Sequence, residues 1–127
     1  MKICIIGDGL TSLVLAESLT TKDIFVDLYL KKGRNLKKTA RTIGISNENA
    51  KFLNTLFPEI YSIANKVNKI EIFNDDKLNI LNFHNDSSIL FYMLKYNEIL
   101  NLIKKKILKN KKIKIISKIK NVENSDQ

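Results

Sequence analysis

Two glycines near the start of the sequence, Gly7 and Gly9, stand in the pattern Gly-x-Gly-x-x-Ser between a predicted strand and a predicted helix. The first glycine of such a pattern permits a tight turn, and the second lets the backbone approach a pyrophosphate. The free N–H groups of Leu10, Thr11 and Ser12 then offer hydrogen bonds and a positive helix dipole to that anion. The pattern predicts a dinucleotide-binding turn; the alternative is that the glycines serve only the turn.

Two positions depart from this fingerprint. Ser12 replaces the third glycine, whose role is close packing of helix on strand, and serine is small enough for that role. A carboxylate at the end of the second strand normally holds the ribose hydroxyls, but the sequence has Leu30 there. Asp27 lies three residues earlier and, by strand alternation, points the other way. The missing charge-assisted hydrogen bond of roughly 1.5–3 kcal/mol weakens the predicted affinity by about one to two orders of magnitude.

Few other residue types could carry chemistry. Cys4 is the single cysteine, so the sequence has no intramolecular disulfide and no Cys/His cluster for a metal. We expect Cys4 to be a small core residue and His84 to be a loop residue without a paired nucleophile. Tyr92 and Tyr96 are expected to pack in the core, the alternative being that they line a cofactor or substrate cavity. The sequence predicts no catalytic side chain and no metal site.

The elements around the glycine turn form a β–α–β pattern. Residues 1–6 are an apolar run typical of a strand covered on both faces, and residues 10–20 have helical spacing. Residues 24–30 are β-branched and aromatic, which indicates a second strand, parallel to the first. Residues 113–116 would return to this sheet as a third parallel strand. The fold class is therefore α/β.

The middle of the sequence follows a different pattern. Residues 31–39 are polar and predict a loop, after which Ser46 can cap a helix that runs toward Pro58. A short helix is predicted around residues 60–67. An antiparallel hairpin excursion is predicted from about residue 67 to residue 83.

The last predicted helix covers residues 96–108, and it ends in the strongest local bias of the sequence, a lysine cluster over residues 104–112. This cluster is typical of a solvated helix face, and the alternative is an anion-binding role. No aromatic residues interleave with these lysines as base stacking requires, so we predict no nucleic-acid partner. We interpret residues 1–127 as a single domain.

The net charge of +9 has an uneven origin, because the 22 basic residues include only two arginines, Arg34 and Arg41. Isoleucine, asparagine and lysine are abundant together, which favours a compositional bias over an acidic partner. The first glycines interrupt the N-terminal apolar run too early for a signal peptide, and no segment is long enough to span a bilayer. We expect a cytoplasmic protein, with peripheral contact to the inner membrane face left open.

Five segments in order resemble the N-terminal part of the flavin-dependent aromatic hydroxylases of ubiquinone biosynthesis: KICIIGDGLTSLVLAESL, VDLYLKK, ARTIGIS, KVNKIEIFND and ILFYMLKYNEILNLI. Arg41 and Thr42 match the arginine–threonine segment that, in this family, leads into a helix by the flavin. The resemblance implies a Rossmann-like FAD-binding domain that uses FAD, NAD(P)H and O₂ to hydroxylate a small aromatic, polyprenylated substrate such as a ubiquinone precursor. The implied cofactor contacts are Gly7, Gly9, Leu10, Thr11, Ser12, Arg41 and Thr42.

The sequence also departs from this family. Leu30 replaces the ribose-binding acid, and Glu98 lies where the family carries a basic residue that faces the cofactor phosphates. The sequence stops before the family's later glycine–aspartate motif, as a fragment, a truncated product or a decayed relative would. We therefore expect weak FAD binding, self-association and no hydroxylase turnover by this chain alone. The alternatives are a non-catalytic α/β binding or interaction module and an NAD-binding domain of another oxidoreductase.

Overall fold

A computed structural model of the protein describes residues 1–30, 41–84 and 88–116. The described residues fall into two compact units. The first contains residues 1–30 and 103–116, and the second contains residues 41–84 and 88–102. The loop predicted at residues 31–39 lies outside the described residues, and the single domain over residues 1–127 remains a prediction.

The first unit is built on the predicted β–α–β pattern. Strand β1 (Lys2–Ile6) leads into helix α1 (Leu10–Thr20), and strand β2 (Phe25–Tyr29) follows. β1 and β2 pair in parallel, with Ile5 opposite Leu28. The predicted parallel unit is confirmed, because a strand, a glycine turn and a helix leave the next strand pointing the same way.

A third parallel strand completes the sheet of this unit. Helix α3 (Tyr96–Ile107) ends shortly before β8 (Ile113–Ile116), which pairs with β2 in the order β1–β2–β8. The strands that lie between β2 and β8 along the chain belong to the second unit. The predicted third strand is therefore confirmed at its predicted bounds, and the α/β fold class is correct.

One face of the parallel sheet is buried and the other is open. Helix α1 packs on the sheet, and the buried residues of this unit lie on that side or on the helices. The buried hydrophobic residues are Ile5, Leu13, Ala16, Val26, Leu28, Ile103, Ile107 and Ile113, and Glu17 and Thr20 are buried as well. Cys4 and Ile6 are exposed, so the expectations of a strand covered on both faces and of Cys4 as a core residue are wrong. Their side chains alternate onto the open face.

A buried carboxylate joins α1 to the segment before β8. Glu17 is 5% exposed, and its carboxylate accepts a 2.9 Å hydrogen bond from the side-chain amide of Asn110. The same amide group donates to the hydroxyl of Thr20 at 2.9 Å, and the Asn110 side-chain oxygen accepts the backbone N–H of Lys112 at 3.0 Å. Lys106 lies 3.5 Å from the other Glu17 oxygen. Because a buried charge is costly without partners, this network holds the helix and the turn together.

The second unit contains a small antiparallel sheet. Strand β3 (Thr42–Ser46) and strand β4 (Asn65–Val67) pair on either side of strand β7 (Phe91–Lys95). The local sequence patterns predict no strand at residues 42–46. These strands pair with segments far along the chain, which local patterns do not reveal.

Helix α2 (Asn47–Leu56) begins at the predicted cap. The Ser46 hydroxyl accepts a 3.1 Å hydrogen bond from the backbone N–H of Asn49, which satisfies one free donor of the first turn. The helix predicted around residues 60–67 is mostly wrong. A short 3₁₀ helix (Ile60–Ser62) gives way to β4, because the segment after it pairs with β7.

The predicted hairpin is confirmed, with strands β5 (Lys69–Phe73) and β6 (Asn79–His84) antiparallel and one register irregularity. Ile70 lies opposite Phe83, and nearly all residues of both strands are exposed. His84 ends β6 opposite Lys69, so its assignment to a loop is wrong. None of the helices in the described part of the chain combines the length and apolar character needed to cross a membrane.

The Glu17 network predicts a large loss of stability in one asparagine variant. Asn110→Ala removes a donor to a buried carboxylate and is expected to lower the free energy of unfolding by about 2–3 kcal/mol. Asn101→Ala, on the exposed side of α3, should change it by less than about 0.5 kcal/mol. Urea unfolding of both variants measures the difference. Equal stabilities for the two variants would show that the network contributes little.

Candidate functional site

The glycine turn lies at the carboxyl edge of the parallel sheet. The N–H of Gly7 donates a 3.0 Å hydrogen bond to the carbonyl of Tyr29, the last residue of β2. Gly9 is the residue before α1, has extended backbone, and accepts the first intrahelical bond from Leu13 at 3.1 Å. The turn therefore carries the chain from β1 into the helix beside the end of the neighbouring strand, where ligands of open α/β sheets bind.

Glycine is required at position 7. Its φ is +151°, a backbone conformation that residues with a side chain rarely adopt, and an added Cβ would collide with the Ser12 hydroxyl oxygen. Ser12, which replaces the third glycine of the fingerprint, thus fills the space that a side chain at position 7 would need. The two residues together let α1 start close against the strand.

Gly9 has the opposite environment, since an added Cβ would meet no atom within 4 Å. The N–H groups of Leu10, Thr11 and Ser12 precede the first intrahelical bond, and the residue before the helix makes no side-chain cap bond. No acidic side chain lies in the first turn. The first turn of the helix therefore offers three backbone donors beside an open position at Gly9, an arrangement suited to a phosphate group.

Sequence reasoning missed the effect of Asp8, which lies between the two glycines. Its side chain is half-buried, one residue before the position that precedes α1. A carboxylate here interacts favourably with the helix dipole and competes with an incoming anion. The residue type and its place next to Gly9 were the available signal.

The strand end beside the turn carries no acid. Leu30 follows β2, is half-buried, and donates its N–H to the carbonyl of Ile116 at 3.1 Å. Asp27 lies opposite Cys4 within the sheet and forms a 2.8 Å ion pair with Lys2. Its second carboxylate oxygen is buried without a hydrogen-bond partner among the described residues. Asp27 therefore does not replace the missing acid at the edge.

Arg41 and Thr42 lie in the second unit, next to one another at the start of β3. The guanidinium carbon of Arg41 is 5.4 Å from the centroid of the Tyr96 ring, a cation–π contact. The carbonyl of Arg41 also accepts the Tyr96 N–H at 2.9 Å, and Thr42 pairs with Lys95. Arg41 and Thr42 are exposed, so the ring orients an arginine whose N–H groups remain accessible.

Two further residues from the sequence analysis have structural partners. Glu98 is exposed and lies 3.2 Å from Lys95, which offsets its negative charge. Tyr92 is buried, with its ring 5.3 Å from that of Tyr61, so its assignment to the core is confirmed. Tyr96 is half-buried beneath Arg41 instead.

No group of three or more metal-ligating side chains occurs within residues 1–30, 41–84 and 88–116.

Comparison of sequences yields no matching family model and no matching curated protein. Comparison of structures gives clear matches. The p-nitrophenol 4-monooxygenase PnpA from Pseudomonas putida matches with a TM-score of 0.74 at 16% identity, covering 91% of this chain and 32% of its own. This chain shares the fold of FAD-dependent monooxygenases.

Two further structures match in the same way. HpxO from Klebsiella pneumoniae, solved with FAD and uric acid, has a TM-score of 0.65 at 16% identity and covers 91% of this chain. The 2,6-dihydroxypyridine-3-hydroxylase from Arthrobacter nicotinovorans also has a TM-score of 0.65, at 16% identity, and covers 90%. This chain spans 30% and 28% of those two chains, respectively. At such identities the likeness concerns the fold.

The environments of the two glycines predict unequal effects of the same substitution on stability. Gly7→Ala should lower the free energy of unfolding by about 1–3 kcal/mol, because the new methyl group meets Ser12 and φ is unfavourable. Gly9→Ala should change it by less than about 0.5 kcal/mol, because its surroundings are open. Denaturant unfolding measures both.

The double variant Gly7→Ala/Ser12→Gly separates the two causes, since it removes the contact and leaves the φ strain. It should recover part of the lost stability. If Gly9→Ala cost as much as Gly7→Ala, the described geometry of the turn would be wrong.

Proposed function

We propose that this chain is the FAD-binding portion of a flavin-dependent monooxygenase that hydroxylates an aromatic ring. The observation that carries the proposal is the glycine turn with three free helix donors, placed at the carboxyl edge of a parallel sheet. Its support is the fold shared with FAD-containing monooxygenases. Since the chain spans about 30% of those proteins, the activity of a whole enzyme is part of the proposal.

The residues of the turn fit a dinucleotide pyrophosphate. The N–H groups of Leu10, Thr11 and Ser12 would donate to its oxygens, and Gly9 leaves the clearance that close approach requires. Arg41 would supply a fixed positive charge on the flavin side, with Thr42 beside it. When bound, FAD supplies the oxygen chemistry, and the protein orients it and excludes water. No acid–base side chain is needed for this division of work.

We further propose NAD(P)H as the reductant and an aromatic, polyprenylated ubiquinone precursor as the substrate. The support for an aromatic ring is that the neighbours include proteins named for p-nitrophenol and 2,6-dihydroxypyridine, and one solved with uric acid. The support for the ubiquinone type is the resemblance of the segments around Gly7 and Arg41 described above.

A second candidate is a non-catalytic α/β binding module that keeps the fold. The observation that favours it is the electrostatics of the carboxyl edge, where Leu30 provides no ribose acceptor and Asp8 places a negative charge beside the phosphate position. Both residues lower the expected affinity for a nucleotide and leave the fold unchanged. The two candidates differ in one measurable property, the uptake of FAD.

Spectroscopy of the purified protein distinguishes these candidates. The proposed function predicts that added FAD binds with a dissociation constant in the micromolar range and produces a shifted flavin absorption band. A protein that remains colourless and takes up no FAD at high micromolar concentration in equilibrium dialysis would support the non-catalytic module instead.

Restoring the fingerprint should tighten FAD binding. Leu30→Glu supplies the ribose acceptor and should raise FAD affinity about tenfold to a hundredfold, and Asp8→Asn should raise it by removing repulsion. Leu78→Glu, which adds the same charge at an exposed position of the hairpin turn, is the matched control and should have no effect. Isothermal titration calorimetry with FAD measures the three affinities. Equal affinities for Leu30→Glu and Leu78→Glu would contradict the assigned ribose position.

Gly9→Ala should have the opposite effect from those variants. Its methyl group fits the free protein but occupies the space through which the pyrophosphate approaches, so FAD affinity should fall at least about tenfold at unchanged stability. The same titration, paired with unfolding measurements, checks this expectation. Unchanged affinity in a folded Gly9→Ala variant would place the ligand elsewhere.

A further inference from the structure

The edge of the parallel sheet opposite the glycine turn is strongly basic. Here β2 and β8 begin, α1 ends, and the last turn of α3 leads into the turn before β8. The Asn110 amide joins these segments by its bonds to Glu17 and Thr20. We call this surface the basic edge and define it by seven residues: Lys22, Phe25, Lys104, Lys105, Leu108, Lys109 and Lys111.

The acids near the basic edge are already paired. Glu17 is bonded by Lys106 and Asn110, and Asp23 is bonded by Lys112, whose hydrogen bond and charge hold the pKa of that carboxyl below its ordinary value. The five lysines of the basic edge form no ion pair with any described residue. Five positive charges therefore remain unbalanced on this surface, which suits an anionic partner.

Two exposed apolar side chains belong to segments that begin or end at this edge. Leu108 is 72% exposed at the end of α3, and Phe25 is 52% exposed at the start of β2. Leu108 directly follows α3, and its N–H donates a helical 3.0 Å hydrogen bond to the carbonyl of Lys104, so Leu108 shares one side with Lys104 and Lys105. Exposed apolar residues flanked by long lysines are the composition of surfaces that enter the boundary between lipid headgroups and acyl chains.

We propose that the basic edge binds the surface of an anionic membrane. Lysines attract anionic headgroups as point charges and need no fixed geometry, while Leu108 and Phe25 enter the interface. A nucleic acid fits less well, because none of the seven residues is an arginine and only one has an aromatic ring for base stacking. In this orientation the glycine turn, at the opposite edge of the same sheet, faces away from the bilayer. The inference does not depend on the proposed function.

Sedimentation with lipid vesicles tests the proposal on the full chain. The protein should bind vesicles of phosphatidylcholine with about one third phosphatidylglycerol and should not bind vesicles of phosphatidylcholine alone. Raising the salt from about 0.05 M to about 0.5 M should release most of it, because screening removes the attraction of the headgroups.

Charge reversal localises the binding surface. The variant Lys105→Glu/Lys109→Glu/Lys111→Glu should weaken vesicle binding at least about a hundredfold. The variant Lys51→Glu/Lys66→Glu/Lys77→Glu changes the net charge equally in the second unit, and it should bind clearly more tightly than the first triple variant. Leu108→Ser should weaken binding about tenfold and leave its salt dependence unchanged. Circular dichroism confirms that each variant is folded.

Three results would overturn the proposal. One is equal weakening by both triple variants, which would indicate only a response to net charge. The second is the absence of binding to the anionic vesicles by the folded wild-type protein. The third is binding of single-stranded RNA, lost in the first triple variant, without any binding to vesicles, which would assign the basic edge to nucleic acid.

Discussion

The conformation of Gly7 is the constraint on which the first unit depends. Its N–H bonds to the end of β2, its φ of +151° turns the chain out of the sheet, and its missing side chain leaves room for Ser12. These features fix where α1 starts, and therefore where the free donors of its first turn point. A side chain at position 7 would strain this turn and displace the Ser12 hydroxyl at the start of α1.

The sequence was sufficient for the elements whose signals are local. The helix at Leu10–Thr20 and the strand at Ile113–Ile116 were predicted with their observed bounds, and Ser46 was identified as a cap, because periodicity and capping act over a few residues. Strands β3, β4 and β7 were not predicted from the sequence, because their pairing joins segments that are distant along the chain. Cys4 was misplaced because an apolar run does not reveal that one face of its sheet is open.

The site was only partly predictable for a related reason. The glycine spacing predicts a phosphate-binding turn, and the structure gives it the geometry that such a turn requires at Gly7 and Gly9. The cation–π contact between Arg41 and Tyr96 joins two residues that are far apart in sequence, so no local sequence pattern predicts it. Asp8 and Leu30 lower the expected affinity for a nucleotide without disturbing the fold. The fold at this edge therefore does not determine how tightly a nucleotide binds, and FAD binding has to be measured.

The most direct measurement is a titration of ¹⁵N-labelled protein with FAD, followed through the backbone amide resonances. If the glycine turn holds the pyrophosphate, the largest shifts will occur at Gly9, Leu10, Thr11 and Ser12, whose N–H groups lie at the open start of α1. The same concentrations of riboflavin, which lacks the pyrophosphate, should leave these amides unmoved. Shifts confined to other residues, or none at saturating FAD, would contradict the account.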